Sequence, residues 1–165
     1  MRAWLLSGAV ALVAVVGGTA YLATTGGGTT SPPATSGPGS VTRTPLSTAD
    51  KRAQDRATQS TLRNAMVAEK VFYTDSRRYT KQLPELSKIE PSVEWDIGIA
   101  GPAAAPGTVY VEVPMNAQIA CLTARSESGE LFMIKDVATG TLAGISYARG
   151  TRLPGCDEKR LDASW

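Results

Sequence analysis

Two cysteines, scattered carboxylates and no histidine are the groups in this 165-residue chain that bear on chemistry. Cys121 and Cys156 are an even pair without Cys-x-x-Cys spacing, and two thiolates are too few for a zinc site. In an oxidising compartment the simple reading is a Cys121–Cys156 disulfide; the other is two unpaired thiols, one of them in the core. Lack of His removes most hydrolase triads, most acid–base pairs that work near neutral pH and most metal sites. Gly144-Ile145-Ser146-Tyr147-Ala148 fails the Gly-x-Ser-x-Gly pattern at its last position, and no phosphate loop or dinucleotide glycine fingerprint occurs. Glu85, Glu90, Glu94 and Asp96 are dispersed, and Glu94 and Asp96 share one strand face that reads as solvated. Arg77 and Arg78 follow a helix, where a solvated end and an anion site are both open readings. The expectation is a non-enzymatic protein with no cofactor and no metal.

What surrounds these residues is a chain divided by composition. No charged residue lies between Arg2 and Arg43. The first part of that gap is apolar and includes Ala3, Trp4, Leu5, Leu6, Val10, Leu12, Val13, Val15, Val16, Tyr21, Leu22 and Ala23. About 20 such residues in a helix match the thickness of a bilayer core. Residues 1–24 therefore read as a transmembrane anchor, with Trp4 and Tyr21 at its two interfaces. A cleaved signal peptide is the competing reading, since Gly18-Thr19-Ala20 offers small residues before a cut. Both export the domain: Arg2 keeps the N-terminus cytoplasmic and the remainder becomes extracytoplasmic, single-pass or secreted.

Residues 25–46 are Gly, Thr, Ser and Pro with little else. Such a segment buries too little surface to fold, so it reads as a disordered tether. Extended it reaches roughly 70 Å, and as a flexible coil its ends lie roughly 25 Å apart. Its Thr and Ser residues are candidate sites for O-linked sugars, and no Asn-x-Ser/Thr sequon occurs. The formal charge is +2, and without Arg2 the chain carries 16 basic and 15 acidic side chains. That balance is no nucleic-acid signature.

One domain is expected over 47–157, with 158–165 a flexible tail and Trp165 mobile. Ser47-Thr48-Ala49-Asp50 resembles a capping box with Asp for Glu. From Thr48 to Tyr73 there is neither Gly nor Pro, and Ala49, Ala53, Ala57, Leu62, Ala65, Met66, Phe72 and Tyr73 follow a helical period broken by Glu69. The larger second half should pack on the domain, the smaller first half should project, and Lys51 is placed to pair with Asp55. A turn-rich stretch containing Pro84 and Pro91 comes next. The period then becomes two: Val93, Trp95, Ile97 and Ile99, then Val109, Val111 and Val113, read as half-buried antiparallel strands with Trp95 in the core. Further strands are expected at 118–125, 130–136 and 141–148. Short connections imply a meander, hence an α+β fold with one amphipathic helix on an antiparallel sheet and a disulfide-stapled tail.

The run Thr61-Leu62-Arg63-Asn64-Ala65 through Phe72-Tyr73-Thr74-Asp75-Ser76-Arg77-Arg78-Tyr79-Thr80 resembles the distal half of the long helix in type IV pilin-like proteins. The Cys121-Leu122-Thr123-Ala124 strand and the tail Gly155-Cys156-Asp157 are similar to the disulfide-closed C-terminal region of that family. The resemblance covers roughly 58–157. It implies a pilin-like head, a structural, adhesive or pilus- or secretion-accessory role, and other surface or pilin-like proteins as partners. The N-terminus departs from the family: there is no Gly-Phe-Thr-Leu-x-Glu processing site, and a Gly/Pro/Thr segment separates the apolar run from the helix. The resemblance thus implies the fold of a pilin head more than the function of a pilin. A tethered ligand-binding or sensory module is the alternative, and oligomeric state is not written in the sequence.

Overall fold

The computed structural model describes residues 45–156, Leu161 and Trp165. The anchor residues and the tether up to residue 44 lie outside the described residues; no helix among the described residues is long and apolar enough to cross a membrane.

Helix α1 spans Thr48–Ser76 and begins with the expected capping box. The Ser47 hydroxyl accepts from Asp50 N at 3.1 Å, and Ser47 N donates to Asp50 Oδ2 at 3.2 Å. Two free amides of the first turn are thereby satisfied. The helix stops at Arg77, whose φ of 57° is left-handed and whose amide closes onto Tyr73 O at 2.8 Å. Residues 47–53 are exposed, whereas Leu62, Ala65, Met66, Ala68 and Glu69 are buried. Only the first turns thus project; from Gln54 the helix engages the domain, with Thr58 buried, and the larger second half packs. Asp55, expected to pair with Lys51, instead accepts from Ser128 Oγ at 2.5 Å across the domain.

A second helix, α2 (Leu83–Ile89), occupies the stretch read as turns. Proline is tolerated in its first turn, where amides lack helical partners, and Leu86 anchors it in the core with no exposed surface.

The sheet has five strands in the order β1-β2-β3-β4-β5: Glu94–Ile97, Thr108–Glu112, Ile119–Arg125, Leu131–Val137 and Gly144–Gly150. β2 to β5 form the expected meander, with antiparallel registers such as Val111↔Leu122, Leu122↔Ile134 and Ile134↔Tyr147. β1 corrects the antiparallel expectation, since it pairs with β2 in parallel, Trp95 opposite Val109. A parallel pair requires a crossover rather than a hairpin, and residues 98–107 supply it. Gly98 turns the chain with a φ of 114°. Ala100 N then donates to Thr123 Oγ1 at 2.7 Å, and Gly107 N reaches Arg125 O. The turn also breaks the expected alternation: Ile97 is 56% exposed and Ile99 packs beside Cys121 and Met133. Trp95 is half-buried against the helix-side core.

The two sheet faces bury different material. Val109, Val111, Ala120, Leu122, Ala124, Phe132 and Ile134 meet Leu62, Ala65 and Met66 of α1. Burying a Leu, Phe or Val side chain contributes about 1.5–3 kcal/mol each, so this layer is the main source of stability. The opposite face carries Cys121, Met133, Ala148, Cys156 and Leu161, with Ile99 and Leu153 laid over them. β3 and β4 are consequently buried on both faces, not half-buried.

Cys121 and Cys156 form the disulfide, with Cα atoms 5.8 Å apart. Trp165, expected to be mobile, is anchored: its Nε1 donates to Met133 O at 3.2 Å and to Ala148 O at 3.1 Å. Its ring meets Phe132 and Tyr147 edge-on, and the Arg63 guanidinium lies 4.9 Å from its centroid. An indole with an apolar body and one donor is suited to such a slot.

Candidate functional site

Polar groups converge where the end of α1 meets the sheet. Glu69 follows the buried face of the helix and has no exposed surface. Its Oε2 accepts from Thr80 N at 3.1 Å, while Oε1 has no hydrogen-bond partner. Burial pushes its carboxyl up to about 8, opposed by the Thr80 amide. Glu69 is therefore uncharged at neutral pH, which lowers the cost of its buried position. The bond to Thr80 holds the loop that leaves α1.

One residue further on, Lys70 reaches over the edge of the helix to Asp136 of β4, Nζ to Oδ2 at 3.0 Å. Tyr79 donates its hydroxyl to the same oxygen at 2.5 Å. Burial and the Asp136 carboxylate both hold the Tyr79 phenol protonated, far above its ordinary range. Tyr79 packs at 4.7 Å, tilted by 40°, against Tyr73, which donates to Gln118 Oε1 at 2.8 Å. Gln118 in turn donates to Arg77 O at 3.2 Å, and Tyr79 N donates to Ala117 O at 2.9 Å. Ala117 has a left-handed φ of 51°, uncommon for a residue with a Cβ. Six side chains thus tie α1, the loop 77–82, the β2–β3 connection and β4 into one unit.

Two open clefts flank this network. One, of about 330 Å³, is lined by Lys70, Tyr73, Tyr79, Asp136 and Gly144 among others. The other, of about 290 Å³, lies between Arg78, Lys81 and the Val113–Met115 stretch, where Met115 is fully exposed. Asp136 Oδ2 accepts from both Tyr79 and Lys70, and the protonated phenol is no base. As built, the arrangement fixes a loop.

The residues singled out in sequence are distributed as follows. Glu85 pairs with Lys88 at 2.9 Å, Glu90 accepts from Ser92 at 2.6 Å, and Glu94 and Asp96 are exposed on β1. Arg77 caps the helix and Arg78 borders the second cleft. Ser146 lies within β5. Among the described residues no three His, Cys, Asp or Glu side chains gather as a metal set. Sequence reading missed Lys70, Tyr79, Thr80, Gln118 and Asp136. The usable signals were Glu69 interrupting an apolar face and Asp136 at an inward strand position.

Compared with known proteins, the chain matches no family model, no curated protein and no solved structure.

Proposed function

We propose that this chain is a membrane-anchored, non-enzymatic extracytoplasmic protein whose α+β domain is a pilin-like head with a structural, adhesive or pilus- or secretion-accessory role. The observation that carries the reading is an order of parts. An apolar run of bilayer length precedes a Gly/Thr/Ser/Pro segment, and a capped 29-residue helix follows. That helix packs on a sheet whose C-terminal extension is closed by a buried disulfide. A buried disulfide suits an oxidising compartment, and the Thr80, Tyr79 and Gln118 bonds favour a fixed head over a moving lid. The Gly/Thr/Ser/Pro spacer suits a domain displayed away from a surface.

Shearing intact cells tests it, with the sheared material and the membranes blotted side by side. Retention in the membrane at full length supports a permanently tethered head. Release at a size lacking residues 1–24 with surface filaments would replace it by a processed, assembled subunit. A second reading, a tethered ligand-binding module, has the 330 Å³ cleft beside Lys70 and Asp136 in its favour. Saturable shifts of Tyr73 and Tyr79 NMR signals by a small ligand would support that reading.

A further inference from the structure

Only one side of α1 is buried, and the charges on its free side are sorted. At about 100° per residue, Arg52, Arg56, Arg63 and Lys70 fall within about 40° of arc on one flank. The exposed acids of the helix, Asp50 and Asp75, fall on the opposite flank. The four cations run along roughly 27 Å of helix. Of these, Arg52 and Arg56 form no ion pair among the described residues, whereas Lys70 is paired with Asp136 and Arg63 donates to Trp165 O at 3.5 Å. Between the cationic and acidic flanks lie Val67 and Val71, 60% and 44% exposed. They are four residues apart and therefore adjacent on the surface. Arg63 over Trp165 and Lys70 on Asp136 place the cationic flank toward β4 and β5, where Arg149 is also exposed.

We propose that this free face of α1 rests on an anionic lipid bilayer, with Arg52 and Arg56 at headgroup phosphates and Val67 and Val71 in the interface. A cationic flank beside apolar residues is the composition that suits a lipid surface. A soluble polyanion would use the arginines and leave the valines in water. The proposal rests on the anchored reading above: an anchored domain is kept at high local concentration near the bilayer, so a weak face suffices.

The test uses the full chain carrying Val67→Cys, labelled with an environment-sensitive fluorophore, in phosphatidylcholine vesicles with or without phosphatidylglycerol. Neutral acrylamide serves as quencher, and the native cysteines are bridged and buried. Quenching should fall in the anionic vesicles at low salt and recover at high salt. Arg52→Gln with Arg56→Gln should lower the docking equilibrium constant by about fivefold per arginine removed, with thermal stability unchanged. Equal quenching in both lipids overturns the proposal, as does protection by soluble polyphosphate but not by anionic vesicles. Failure of the chain to float with phosphatidylcholine alone would sink the anchored reading separately. Flotation with anionic vesicles would then still support the lipid face, and its absence would overturn it.

Discussion

Glu69 concentrates the physical tension of the molecule in a single carboxyl. In the unfolded chain it titrates at its ordinary value of 4.5; in the fold burial raises it to about 8. Between these values the folded state binds a proton that the unfolded state does not, so stability falls as pH rises. This contribution is fully present below pH 4.5 and lost by about pH 8, at about 1.4 kcal/mol per pH unit across the window. Denaturant titrations through that window should show the slope, and Glu69→Gln should flatten it. Tyr79→Phe should cost about 1–3 kcal/mol, because it strips a buried donor from Asp136; a chemical melt at constant pH measures it. Of this site the sequence disclosed only the anomaly. Glu69 on an apolar face was visible, but its partner Thr80 is an ordinary loop residue. Tyr79 meets Asp136 across 57 positions, and no local period encodes that pairing.

Among the elements, α1 was the most legible, because capping chemistry and a 3.6-residue period are both local. The capping box, the stop near residue 76 and the packed second half are present, but projection is confined to the first turns, since Asp55 and Thr58 already engage the domain. α2 was missed because Pro84 reads as a breaker, although a first turn accepts it. β1 was mispaired because alternation gives a face but not a direction; the parallel register depends on how residues 98–107 cross the outer face. The covering of β3 and β4 on both sides was equally hidden, since the cover comes from loops and the C-terminal segment. Two outcomes belong at this scale. Ser47→Ala should cost at most about 1 kcal/mol. Because residues 47–53 are exposed, faster amide exchange in the first turns should register the loss more clearly than the global melting point. Cys121→Ser with Cys156→Ser should cost about 3–4 kcal/mol, the chain-entropy value for a loop of this size, and a guanidinium melt of the oxidised parent and the variant compares them.

At the scale of the whole molecule, the described residues form one α+β domain, proposed as a head on a Gly/Thr/Ser/Pro spacer. Its interior polar groups fix loops, its disulfide closes the C-terminal segment, and the free side of α1 is left for contact. The central claim is that the head stays attached to a membrane and faces outward. Protease treatment of intact cells, followed by alkaline carbonate extraction and blotting of each fraction, tests it most directly. The account predicts that the untreated chain remains in the extracted membranes at full length and that external protease removes the head. Full-length chain in the carbonate supernatant, or a head that only lysis exposes to protease, would contradict it.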